Sequence, residues 1–277
     1  MSKVIVGFNA SEEARDALAL AMALAAAESA ELHVAVVLPR SEIPFESAVA
    51  GGQLSTQLEE ELFASAERIL RGSDYVRASL DGGIGGRSAA RALYEYAREE
   101  DAELIVVGSS QRGKLGRILL GSVGESLLRC APCAVAVAPR GFAHGSAARL
   151  GKIGIAYDGS IEAELALNAA ERLCRSMEAD MSVITVVPTQ PSFQFAAALS
   201  GELIEDLRAE FRGVLQAGLQ KLDQRTRAEE VFAEGDPAEV LAERAADLDL
   251  LVMGSRGYGP IRGALLGAVG LMRPIGC

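Results

Sequence analysis

Tryptophan is absent and aromatic residues make up only 5% of the 277-residue chain, although 49% of it is hydrophobic. A core with so few large rings has to be filled mainly by Ala, Val, Leu and Ile, the residues of strand-and-helix layers. There are four cysteines and two histidines, and the cysteines do not suggest a disulfide framework in a chain of this size. His33 begins a strand-like run and His144 lies in a polar stretch, and neither has a spaced partner for metal or triad chemistry. The longest apolar run, Ala17 to Ala27, is mostly Ala and falls far short of the roughly 20 residues a membrane span needs. The N-terminus, MSKVIVGFNA, enters a strand-like run directly, without a basic segment, apolar stretch and cleavage site. Positive charge is in deficit: the formal net charge is −11, and no Lys/Arg cluster forms the basic face a nucleic-acid binder needs. The expectation is a soluble, cytoplasmic protein with neither nucleic-acid nor membrane partners.

What the chain does have is a repeat. Lys3-Val4-Ile5-Val6-Gly7-Phe8-Asn9-Ala10-Ser11 returns as Lys152-Ile153-Gly154-Ile155-Ala156-Tyr157-Asp158-Gly159-Ser160. In each copy a β-branched strand is followed by a turn and an Ala/Leu-rich helix, then by a second strand ending at Pro39 or Pro188. Further helices are expected near 57–70 and 202–222. Third strands are expected near 75–80 and 230–233, and fourth strands at 104–107 and 250–253. Strands alternating with helices of ten or more residues, with unbroken apolar runs in the strands, mean a parallel sheet covered on both faces. Right-handed crossovers make it doubly wound, with ligands bound outside the carboxyl ends where the strand order reverses. The fold class is therefore α/β: two tandem doubly wound, Rossmann-like parallel-sheet domains. Residues 1–142 and 148–277 form the two domains, with the linker near 140–150. The first copy continues into a fifth strand, Cys133 to Ala138. The second ends in AVGLMRPIGC, where Pro274 prevents a long helix, so it lacks its last strand.

The Gly-rich segments after the fourth strands are the most informative. Gly108-Ser-Ser-Gln111 is followed after nine residues by Gly121-Ser122, and Gly254-Ser-Arg256-Gly257 after nine by Gly267-Ala268. This resembles the universal stress protein family, whose ATP-binding members carry G-x2-G-x9-G-[S/T] here and an Asp just after the first strand. The resemblance covers nearly the whole chain, twice. It implies an adenine-nucleotide site formed by Asn9, Val37, Gly108, Gly121 and Ser122 in the first half. In the second half it implies Asp158, Val186, Gly254, Arg256, Gly257 and Gly267. In ATP-binding relatives the acidic residue lies on the nucleoside side and the second-strand Val contacts adenine. Glycines let backbone approach phosphate or adopt φ > 0, and the helix opening at Gly121 offers free N–H groups and a favourable dipole. Both copies depart from the pattern: Asn9 lacks the charge, Gln111 replaces the second glycine, and Ala268 lacks the hydroxyl of Ser122.

Other signals have plainer readings. Gly108 to Leu115 is one residue from a P-loop, but Leu115 cannot hold Mg²⁺. Lys114, Arg112 and Arg256 are loop charges able to neutralise phosphate. Cys130-Ala-Pro-Cys133 has redox spacing, yet it closes a helix rather than opening one, the wrong polarity for lowering a thiol pKa. Gly82-Gly83-Ile84-Gly85-Gly86 does not complete G-x-G-x-x-G and reads as a flexible connection. No residue is placed to activate water, so no catalytic or metal-ligating set is assigned. The expected function is binding of ATP, with Mg²⁺, as a signal or structural ligand in stress response. The alternatives are an interaction protein of the same fold and, behind it, a slow ATPase. The unpartnered fifth strand of the first half, an open edge, predicts a homodimer.

Overall fold

The computed structural model describes residues 2–39, 51–71, 78–86, 88–109, 111–112, 118–119, 121–144, 150–188, 201–254 and 269–270. The chain divides into two units, one centred on Met1–Arg112 and Leu119–Ala148 and the other on Arg149–Tyr258. The first unit runs β1 (Lys3–Phe8), α1 (Glu12–Ala27), β2 (Glu31–Pro39), α2 (Gly51–Arg71), β3 (Ala78–Gly86), α3 (Ala89–Glu99), β4 (Leu104–Gly108), α4 (Ser122–Cys130) and β5 (Ala134–Ala138). Its five strands are parallel in the order β3-β2-β1-β4-β5. The second unit runs β6 (Lys152–Ala156), α5 (Ile161–Met177), β7 (Asp180–Pro188), α6 (Gly201–Lys221), β8 (Ala228–Gly235), α7 (Pro237–Arg244) and β9 (Leu250–Met253). Its parallel order is β8-β7-β6-β9.

The central strands are buried on both faces: Ile5, Val6, Ile105 and Val106 are fully inaccessible, as are Ile153, Ile155 and Leu251. Continuous Val/Ile runs suit this position, because each side chain removed from water stabilises by roughly 1.5–3 kcal/mol. α1 starts where Ser11 takes the Ala14 N–H at 3.1 Å, with Glu12 and Glu13 in the first turn, and it buries Ala17, Leu18 and Ala21 on the sheet. α5 repeats the device with Ser160, which takes the Ala163 N–H at 3.2 Å.

Three expectations change. The third strands are longer and extend further along the chain than expected, and the glycine run at 82–86 is not a connection but the end of β3. There it pairs with 37–39 of β2 after a register shift between Ala35 and Val37. Glycine is a weak strand former, but the ladder of β2 fixes its backbone. In the second unit no fifth parallel strand follows β9 among the described residues. A two-residue strand, β10 (Val269–Gly270), instead sets Val269 antiparallel to Val252. The start of the expected linker is also structured. Asp16, 2% exposed, accepts the Gly141 N–H at 2.7 Å and the Ala143 N–H at 2.8 Å, holding the turn Phe142–His144 against α1.

Candidate functional site

In each unit the strand order reverses between two neighbouring strands, β1 and β4 in the first and β6 and β9 in the second. Connections leave in opposite directions there and open a crevice at the carboxyl ends. The registers Val6↔Val106 and Ala156↔Met253 bring the ends of each pair level. The residues that follow, Asn9 with Gly108-Ser109 and Asp158 with Gly254, therefore flank the two crevices.

The turn after the first strand is built alike in both copies. The Asn9 side-chain oxygen, Oδ1, accepts the Ser11 N–H at 3.2 Å. Asp158 Oδ1 accepts the Ser160 N–H at 3.0 Å and its hydroxyl at 2.5 Å. Both side chains are exposed, and among the described residues Asp158 Oδ2 carries no bond. The intervening residue has positive φ, 59° at Ala10 and 79° at Gly159, a conformation glycine adopts freely and alanine does not.

The motif glycines are explained differently from the sequence reading. None of Gly108, Gly121 and Gly254 has positive φ. At Gly108 a Cβ would lie 2.1 Å from the backbone oxygen of Glu13, and at Gly254 2.7 Å from the backbone carbon of Glu162. Helices α1 and α5 run so close over the fourth strands that only glycine fits. The close approach at these two positions is made by helix backbone.

Gly121 is the N-cap of α4 with extended φ −74°, and no side chain caps this nine-residue helix. Ser122, exposed, is its first residue, so the first-turn N–H groups and the dipole face outward as an anion-attracting end. Ser109, directly after Gly108, is 1% exposed and its hydroxyl has no partner among the described residues, a buried donor that ordinarily finds one. Nothing in the spacing of the sequence marked it, beyond its place beside Gly108. Val37 is 8% exposed, and Val186, at the matching place on β7, is half-buried. Arg256, Gly257 and Gly267 lie outside the described residues, as does Lys114; the side chains of Gln111 and Arg112 do too. The structure thus brings Asn9, Gly108 and Ser109 to one crevice, and Asp158 and Gly254 to the other.

Burial, with the charge of Glu103 adding to it, pushes Cys133 up to about 12, far from a reactive thiolate. Cys130 is exposed and gives its hydrogen to the Ser126 carbonyl at 3.0 Å. His33, by contrast, has partners that its sequence surroundings hide: its Nδ1 lies 3.0 Å from the Ser79 hydroxyl and 3.1 Å from that of Tyr96. No group of three or more metal-ligating side chains occurs among the described residues. Nor, among them, is any helix long and apolar enough to cross a membrane.

The sequence model described as the Universal stress protein family matches residues 1–139 and again 150–270. Universal stress protein Rv2005c of Mycobacterium tuberculosis H37Rv is 34% identical over 181 residues, 61% of this chain and 57% of its own length. Universal stress protein Rv2623 of the same organism is 30% identical over 176 residues, 62% of this chain and 57% of its own. The match thus spans little more than half the length of these curated relatives. Among solved structures, a universal stress protein from Archaeoglobus fulgidus DSM 4304 superposes with a TM-score of 0.68 at 17% identity, covering 98% of both chains. The functionally unknown protein PA1789 from Pseudomonas aeruginosa PAO1 gives a TM-score of 0.59 at 20% identity, covering 98% of this chain and 92% of its own. At such identities the likeness speaks for the fold alone.

Proposed function

The chain belongs to the universal stress protein family, and from that premise we propose that it is a binding and regulatory protein that holds ATP, with Mg²⁺, at one or both crevices. The observation that carries the reading is the uncapped N-terminus of α4 at Gly121-Ser122. Its free N–H groups, dipole and one hydroxyl suit a phosphate. Asn9 and Asp158, exposed at the carboxyl ends of β1 and β6, are the nucleoside-side residues in this reading, with Val37 and Val186 toward the base. Gly257, Gly267 and Arg256 complete the second site. The bound nucleotide supplies charge and shape, and the protein's residues orient it without activating water. The protein acts in the cytoplasm on this reading, and it self-associates through the strand Ala134–Ala138.

One observation favours a second reading, an interaction protein that no longer binds nucleotide. The space at Gly108 and Gly254 is taken by the backbone of α1 and α5, so these glycines are required with or without a ligand. Calorimetric titration of ATP and Mg²⁺ into the full chain, alongside Gly121→Val and Gly267→Val, separates the two. The expected result is micromolar binding that one variant loses and the other keeps, which identifies the working half. No heat, with no nucleotide released on denaturing the purified protein, establishes the nucleotide-independent reading.

A further inference from the structure

The two units are built differently at the amino ends of their strands. In the first, His33 and Ser79 are register partners on β2 and β3, and Tyr96 of α3 closes over them through the hydroxyl contact at His33 Nδ1. Beside them Lys3, at the head of β1, donates to Glu100 at 2.6 Å. Side chains that bond one another fill the space between strand ends and helix. In the second unit the repeat sets Ser182 in the place of His33 and Glu229, its register partner, in that of Ser79, and the Ser182 hydroxyl donates to Glu229 Oε2 at 3.2 Å. Counted from the helix caps Ser88 and Asp236, Arg244 stands where Tyr96 does. Helix α7 has 8 residues against 11 in α3, and it buries none of its side chains where α3 buries Ala90, Ala92, Leu93 and Ala97. What remains is an open groove of about 760 Å³.

Val231 and Leu248, half-buried against the core residue Ile184, give the groove its apolar part. Lys152, Arg227 and Arg244 line it together with Asp180, Glu229 and Asp247. Among the described residues none of these six is within 4.0 Å of an opposite charge. All six are exposed, as are Arg140 and Glu12, which do pair at 2.9 Å. A simple anion entering the groove meets three carboxylates, and a simple cation meets three basic groups. A molecule carrying both charges on an apolar body answers all of them.

We propose that this groove binds a small zwitterion with an apolar side chain, of the amino-acid or dipeptide class. Its carboxylate is met by the basic residues and its ammonium by the acidic ones. The groove lies at the opposite end of the sheet from the nucleotide crevice, and the two sites are independent. The test is calorimetric titration of leucyl-leucine into the full chain and into Arg244→Ala, with thermal melts to confirm that the variant, altered at an exposed position, is folded. N-acetyl-leucyl-leucine amide, uncharged at both ends, is the control. The expected result is a dissociation constant of about 1 mM or tighter, unchanged by saturating ATP. It should weaken about tenfold or more in Arg244→Ala and for the capped dipeptide. Absence of binding up to about 10 mM, equal binding of the capped dipeptide, or an unaltered constant in Arg244→Ala overturns the proposal.

Discussion

Gly108 shows how a single residue can be right for a reason its motif does not express. It stands in a phosphate-loop pattern, yet a methyl group there meets the Glu13 carbonyl at 2.1 Å. Backbone cannot retreat as a flexible side chain can, so Gly108→Ala should destabilise the first unit by roughly 3 kcal/mol, read from denaturant unfolding. Loss of nucleotide affinity in that variant is then no evidence of a phosphate contact, which is why the proposed titration uses Gly121 and Gly267. The half-buried Cys133 and the buried Cys174 predict a pH dependence. Burial raises both Cys133 and Cys174 to about 12 from an ordinary value of 9.0. The unfolded chain therefore gives up these protons at lower pH than the native one. Their contribution is complete below about pH 9 and is lost as pH rises through about 12. Melting temperature should fall across that window, and Cys133→Ala with Cys174→Ala should flatten the fall.

Helix ends carry much of what each element owes to its own sequence. Ser11 and Ser160 are both caps, but only Ser160 also donates its hydroxyl to the preceding carboxylate, at 2.5 Å. Ser11→Ala should cost about 1 kcal/mol. Ser160→Ala should cost about 1 kcal/mol more, because the hydrogen bond to a charged group goes with the cap. Equal losses in denaturant titrations would show that the Asp158 contact contributes nothing to stability. Strand ends were less legible than helix starts. The expected third strand stopped at Leu80 because glycines at 82–86 read as a break, whereas the neighbouring β2 keeps them extended. The short α7 and the longer α3 follow the same cap-and-helix pattern, and only their packing reveals that one covers its sheet and the other leaves a groove.

For the whole molecule, the proposed self-association through Ala134–Ala138 predicts a homodimer, checked by sedimentation of the full chain at micromolar concentration. A monomer there would end that part of the proposal. The repeat, the parallel, doubly wound character of each sheet and the family were legible in the chain, whereas the strand order and the pair between which it reverses came from the structure. Apolar runs, their spacing and the residues at turns are local, and the doubly wound form of each unit follows from them by handedness and short connections. Asn9, Asp158 and the glycines could be set at the carboxyl ends of strands for the same reason. The sequence could not tell that Gly108 and Gly254 answer to helix backbone, that Asp16 holds the turn after β5, or that His33 has two hydroxyls at one nitrogen. It also could not tell that the six charges around β6, β7 and β8 stay apart. These are distances between residues far apart along the chain, such as Asp16 and Gly141 or His33 and Tyr96. Tertiary packing alone sets them, because burial and close approach are properties of surfaces brought together and not of any segment by itself.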